Sequence, residues 1–167
     1  MKTRQLALGG LLTALSLLIP LVFGPYLRII IGPFTATLAS HVPLFLAALV
    51  SPLVAGMVGL ASAFGFLLVA DPVVAARAFT HLFVGLTAAF LVQKGKPYYM
   101  ALGAALPVHA GLEALIVIPF GFDVYTWGVV VGLGTALHHA ADAAISVVLV
   151  RALGLKRISF WAAPEKS

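Results

Sequence analysis

Apolar residues fill this chain in six long blocks, separated by short clusters of Gly, Pro, Asp or Lys. The blocks cover residues 6–23, 34–50, 53–70, 73–92, 98–118 and 125–153. Each break has a local cause. Ser51-Pro52 is a tight stop, and Asp71-Pro72 pairs an N-capping carboxylate with a proline suited to the first helical position. Lys94-Gly95-Lys96-Pro97 is hydrophilic, and Pro119-Phe120-Gly121-Phe122-Asp123 ends the fifth block. A helix crossing a bilayer needs about 20 apolar residues. Strand-type alternation is absent, and the blocks are too long for barrel strands. The pattern predicts an all-α integral membrane protein, a single domain over residues 1–167 with six transmembrane helices and both termini cytoplasmic. The last block exceeds a single crossing, so it is expected to tilt or protrude. The first, preceded by Lys2 and Arg4, resembles a signal peptide. The residues after it, Gly24-Pro25-Tyr26-Leu27-Arg28, offer no small-x-small cleavage site, so a retained helix is expected. The loop 24–33 mixes Gly and Pro with Leu27, Ile29, Ile30 and Ile31.

Composition sharpens this picture. Hydrophobic residues make up 62% of the chain and charged ones 9%, against about 25% charged in a soluble domain. Most of the surface must therefore face lipid. Six spans leave no length for an ATP-binding domain, so any ATP-derived energy is expected from another chain. There is no cysteine, hence no disulfide and no thiolate metal site. The net charge of +5 is topological and predicts no nucleic-acid partner. With the N-terminus inside, Lys2, Arg4, Lys94, Lys96, Arg151, Lys156, Arg157 and Lys166 are cytoplasmic. Only Arg28 and Arg77 remain outside, beside Asp71 and Asp123, a strong positive-inside bias. Tyr98, Tyr99, Tyr125 and Trp127 fall near span ends, as interfacial aromatics do.

Ionisable residues inside the blocks carry the functional signal. Each charge at that depth costs roughly 2.5–3.5 kcal/mol on insertion scales. Under the expected topology Arg77 and His81 lie one and two turns below the outer surface, and so do Glu113 and His109. His41 lies about two turns down; His138, His139 and Asp142 reach mid-membrane. The groups describe a funnel open to the outside and closed at half depth. Arg77 and His81, His109 and Glu113, and His138 and Asp142 are i,i+4 pairs, with His139 and Asp142 at i,i+3, so each pair shares a helix face. Such a pair is either a self-satisfied clamp or part of a site. His138 and His139 point about 100° apart, so at most one faces the pocket squarely. Arg77 offers a planar fork for a carboxylate or phosphate; its alternatives are an internal ion pair with Asp71, Glu113 or Asp142, or snorkelling to the surface. A metal site would need several of these imidazoles and carboxylates to converge. No HExxH, nucleophile–base pair or Gly-rich phosphate loop is present, so neither an enzyme nor a resident metal or cofactor is expected. Small residues add a second signal: Gly10-Leu11-Leu12-Thr13-Ala14 is a small-xxx-small pattern that lets helices approach closely.

Six helices in under 200 residues, a basic start leading into LALGGLLTALS, a loop after the first helix and no energising domain resemble the substrate-binding S component of energy-coupling factor (ECF) vitamin transporters. The resemblance spans essentially the whole chain. The family's first-helix AxxxA motif, which contacts the transmembrane coupling subunit, reads Gly10 and Ala14 here, with glycine replacing the first alanine. The stretches GPFTATLASHVPLFLAALVSP and VVAARAFTHLFVG look most like niacin-type S components. The resemblance implies a multi-pass protein of a bacterial or archaeal cell membrane. It would bind a small water-soluble vitamin-like carboxylate from outside, then reorient on a coupling subunit with two cytosolic ATPases. Residues 24–33 are the expected extracellular lid, in which Arg28 either closes over an anion or sits in water. For nicotinate, Arg77 would hold the carboxylate, a histidine or Ser40 the ring nitrogen, and Phe34, Phe79 or Trp127 would stack on the ring. The expected substrate-binding set is Arg77, His81, His41, Ser40, His109, Glu113, His139, Asp142 and Trp127. Pantothenate and other carboxylates fit the same logic.

Two rival readings stand beside it. A stand-alone proton-coupled transporter would use Glu113, Asp142 and the histidines as a relay, and would want an inward polar path that the sequence lacks. A haem or metal uptake component on the same scaffold would place the histidines on its cargo.

Overall fold

The computed structural model describes residues 3–155. Five helical stretches are long and apolar enough to cross a membrane: Thr3–Val22, Pro52–Val69, Pro72–Gln93, Tyr98–Phe120 and Tyr125–Ala152. In chain order, α1 (Thr3–Val22) leads through the one-turn α2 (Gly24–Leu27) into a hairpin of β1 (Arg28–Ile31) and β2 (Phe34–Thr37). Then come α3 (Val42–Val50), α4 (Pro52–Val69), α5 (Pro72–Phe79), α6 (His81–Gln93), α7 (Tyr98–Ile116) and α8 (Gly134–Ala152). A π-helical stretch, Tyr125–Leu133, runs directly into α8. The expected breaks form at their predicted places. Ser51 Oγ accepts from the Val54 amide and Asp71 from the Val73 amide, each with proline in the first turn. After α6, Gly95 takes φ +82, which suits glycine. Its amide reaches Val92 O and that of Lys96 reaches Leu91 O, closing the helix with a Schellman motif.

The second block departs from expectation, and with it the all-α, six-helix description. Residues 34–50 do not form one helix. The three isoleucines of β1 and the Phe-Thr-Ala-Thr of β2 suit strands, because β-branched and aromatic side chains pack well on a pleated surface. Between them Gly32, at φ +55, and Pro33 supply a two-residue turn. Arg28 pairs with Thr37 and Ile31 with Phe34. Only Val42–Val50 is left for a helix, about 14 Å long at 1.5 Å per residue, half a hydrocarbon core. This short helix is also the most enclosed, with eight of its nine residues buried. It sits at the centre of the bundle, where Leu44, Phe45, Ala47 and Ala48 pack against Val54, Val58, Val84, Ala88, Leu102 and Ala105.

The outside of the bundle is apolar: Leu68, Leu137 and Val148 are among its most exposed side chains. The inside holds His109, His139 and Asp142 with no exposure at all. This inversion marks a multi-pass membrane protein. Part of the expected termini-inside orientation rests on Lys2, Lys156, Arg157 and Lys166, which lie outside the described residues. At the loop before the last span, Asp123 accepts from the Thr126 amide, which holds its carboxyl below the usual range.

Small residues let the helices close. A Cβ added at Gly59 on α4 would lie 2.7 Å from the His81 carbonyl carbon and the Leu82 nitrogen on α6. Backbone cannot yield as a side-chain tip can, so Gly59→Ala is expected to cost about 1–3 kcal/mol through overpacking. The check is thermal unfolding of the detergent-purified variant; an unchanged melting temperature would mean that α4 and α6 can separate freely at this point.

Candidate functional site

The site is built where α1 and α4 end and α5 begins. In a strand, neighbours two apart share a face, and directly paired residues lie side by side. Arg28, Thr35 and Thr37 therefore share one face of the hairpin, while Phe34 and Ala36 share the other. The first face lines a cavity of about 400 Å³, closed by Ser16 and Pro20 of α1, Ser62 and Phe66 of α4, and Arg77 of α5. Ser40, His41, His81, Glu113 and His138 also line it, as does Asp71 at the start of α5. Phe34 and Ala36 pack instead with Val117 and Val131. Arg4 at the start of α1, Lys94 and Lys96 after α6 and Arg151 near the end of α8 do not line the cavity.

All five histidines, both buried carboxylates and Arg77 join in one network. Asp142 on α8 accepts the Ala39 amide at 2.7 Å and the His41 amide at 2.9 Å. The same carboxylate takes His41 Nδ1 at 3.0 Å and His138 Nε2 at 3.2 Å. His138 Nε2 is also 3.0 Å from the Thr37 carbonyl, tying α8 to the hairpin. His41 Nε2 meets His81 Nε2 at 3.1 Å. Glu113 accepts Arg77 through Nε at 2.8 Å and Nη2 at 2.7 Å, and the Thr135 hydroxyl, all on Oε2. Its Oε1 faces His109 Nε2 at 3.2 Å and His81 Nε2 at 3.7 Å. His109 Nδ1 continues to His139 Nδ1 at 3.0 Å, and His139 Nε2 ends the chain at the Leu102 carbonyl, 3.0 Å away. The i,i+4 pairs expected at His109 with Glu113 and at His138 with Asp142 are in contact, and Arg77 and His81 converge on one carboxylate.

Of the residues expected around a ligand, Arg77, His81, His41, Ser40 and Glu113 line the cavity, together with His138. His109, His139, Asp142 and Trp127 do not. His109, His139 and Asp142 stand behind the wall and orient those in front. Of the adjacent histidines, His138 faces the cavity and His139 turns to His109, as their 100° separation requires. Trp127 packs on the Phe34, Val117 and Val131 cluster, and Phe79 lies exposed against Phe83. Phe34 sits beneath the Arg77 guanidinium at 4.9 Å. None of these three stacking candidates reaches the cavity; Phe66 does.

Arg77 is engaged by an internal carboxylate, one of the alternatives open to it. Arg28 is exposed, as sitting in water would require, and also faces the cavity. Its side chain lines the cavity and donates through Nη2 to the Pro20 carbonyl at 2.8 Å. No carboxylate among the described residues pairs with it. Sequence reasoning also passed over Thr35, Thr37, Thr135 and Phe66. The Gly32-Pro33 turn between two β-branched runs was the signal for the two hairpin threonines. A single hydroxyl or phenyl in an apolar helix carries no such mark.

No family model matches the chain, and no solved structure matches it. It is similar to the niacin transporter NiaX of Lactococcus lactis subsp. cremoris (strain MG1363), with 33% identity over 159 residues, covering 84% of this chain and 70% of that protein. That protein is a transporter and not an enzyme. At this identity and coverage the chain belongs to the NiaX family, the niacin-type S components that its sequence resembles.

Proposed function

We propose that this protein binds nicotinate, or a vitamin carboxylate of similar shape, in the cavity between the hairpin and α1, α4 and α5. The observation that carries this reading is Arg28: a guanidinium on the cavity wall that makes no ion pair with a carboxylate among the described residues, Glu113 on the same wall being taken by Arg77 and Asp71 capping α5. A buried pair has already used its attraction, so the Arg77–Glu113 pair has little left for an incoming anion. Arg28 keeps its charge and a planar fork suited to a carboxylate. Ser40 and His138 offer hydrogen bonds for a ring nitrogen, and Phe66 offers an apolar wall. The cavity's volume lies at the lower end of the range for small-molecule pockets. The niacin transporter in the same family supports this choice of ligand class.

The wider mechanism rests on the family resemblance. The chain crosses the cell membrane six times with both termini inside, the hairpin and α3 completing the second crossing. The vitamin enters from outside, and the loop 24–33 with the hairpin acts as its lid. The loaded protein then reorients on a transmembrane coupling subunit driven by two cytosolic ATPases. Gly10 and Ala14 support this assignment of a partner: both are exposed on α1, and nothing lies within 4 Å of a Cβ built at Gly10. Close helix approach is what small residues at that spacing allow.

Two measurements separate these parts. Titrating nicotinate calorimetrically into the Arg28→Ala variant should show at least a tenfold loss of affinity, about 1.4 kcal/mol, with binding of nicotinamide little changed. Equal nicotinate affinity would remove Arg28 from the site. Arg77→Ala should instead lower stability by about 3–5 kcal/mol, because Glu113 is left buried without its cation. Gly10→Leu together with Ala14→Leu should abolish vitamin uptake by cells carrying the coupling module while leaving binding in detergent intact. Loss of both would assign these residues to internal packing.

A further inference from the structure

We propose that His41, His81, His109 and Glu113 form a divalent-metal site of the zinc type at the floor of the cavity. Each offers one ligand atom, and the four atoms lie within 4.8 Å of one another. The separations are 3.1 Å between His41 and His81, 3.2 Å between His109 and Glu113, and 3.7 Å between His81 and Glu113. Ligands of a tetrahedral zinc ion at about 2.0–2.1 Å stand ~3.3 Å apart.

The wiring behind His41, His109 and Glu113 turns lone pairs toward the same point. A carbonyl only accepts, so His139 Nε2 carries a proton toward Leu102 O. In neutral imidazole His139 Nδ1 is then an acceptor, and His109 Nδ1 donates to it. That leaves a lone pair on His109 Nε2, aimed at Glu113 Oε1. Arg77 and Thr135 donate to the other oxygen, Oε2, so Oε1 is an acceptor as well. Two acceptors at 3.2 Å repel unless a cation lies between them. From the opposite side Asp142 accepts from His41 Nδ1, which puts the His41 Nε2 lone pair into the same space. A carboxylate or carbonyl behind each ligating histidine is how proteins fix metal-binding tautomers. His138 and Asp142 form a second cluster with His41. There the contacts are already donor to acceptor, so it supports the site and is not a site of its own.

This inference rests on side-chain geometry alone and is independent of the vitamin, so its test contains none. The full chain, purified in detergent without an affinity tag, is stripped with a chelator, reloaded with zinc and desalted. Mass-spectrometric metal analysis should find about one zinc per chain. Cobalt(II) loading should give the visible d–d bands of a four-coordinate ion with nitrogen and oxygen ligands. His81 is the least enclosed of the four, and His81→Ala should weaken zinc at least 100-fold, while Tyr98→Phe, bonded to Ser146 and in neither the cavity wall nor the ligand set, keeps it. Zinc far below one per chain in monodisperse wild-type protein would overturn the proposal and leave a bound proton to reconcile His109 with Glu113. So would zinc affinity unchanged in His81→Ala.

Discussion

The Asp142 carboxylate is the point on which the rest of the site depends. It accepts two backbone amides, Ala39 and His41, and two imidazoles, His41 and His138. Those amides belong to the turn between β2 and α3, where Ala39 takes φ +69. That left-handed conformation costs a non-glycine residue about 1–3 kcal/mol and persists only when its surroundings impose it. A single charge on α8 therefore stops β2, reverses the chain and starts α3 with His41 pointing at His81 and His109. Without that turn, the apolar stretch from Phe34 to Val50 has no reason to divide into strand and helix.

Burying so many polar groups in a lipid-facing bundle is tolerable because they satisfy one another. Among the described residues no buried side-chain nitrogen or oxygen lacks a partner. The cost of taking a charge from water falls on Arg77, Glu113 and Asp142, and each meets either an opposite charge or several donors. The network also has a direction. It starts at the cavity with His41, His81 and Glu113 and ends at the Leu102 carbonyl, with the apolar cluster around Leu44 and Phe45 packed nearby.

How much of this was legible in the sequence depended on which signal each feature leaves. Five crossings, their caps and the shared faces of Arg77 with His81 and of His109 with Glu113 come from hydropathy and from 3.6-residue spacing, so they were readable. The network is a meeting of α5, α6, α7, α8 and the β2–α3 turn, which spacing within one helix does not encode; depth alone hinted at it. The hairpin was lost because residues 34–50, with only Thr35, Thr37, Ser40 and His41 polar, read as one largely apolar block. A buried strand followed by a buried helix has the hydropathy of one span. Losing the hairpin hid which face each residue takes: nothing in the sequence put Arg28 on one strand face with Thr35 and Thr37, and Trp127 read as a stacking partner when it closes the back of β2. Arg77 is a different case, since an intramembrane arginine invites a ligand and a carboxylate equally, and only three-dimensional proximity decides.

The two-residue turn at Gly32 and Pro33 ties the electrostatics of the cavity to strand register. Pairing Arg28 with Thr37 puts a guanidinium on the same face as the threonines that line the cavity. Because side chains alternate along a strand, a slip of one position would carry that charge to the opposite face and bring an isoleucine inward. The cavity would keep its shape and lose its sign. If Arg28 holds the ligand as proposed, the choice between an anionic and a neutral ligand is made as the hairpin closes, by a turn that contributes no polar side chain of its own.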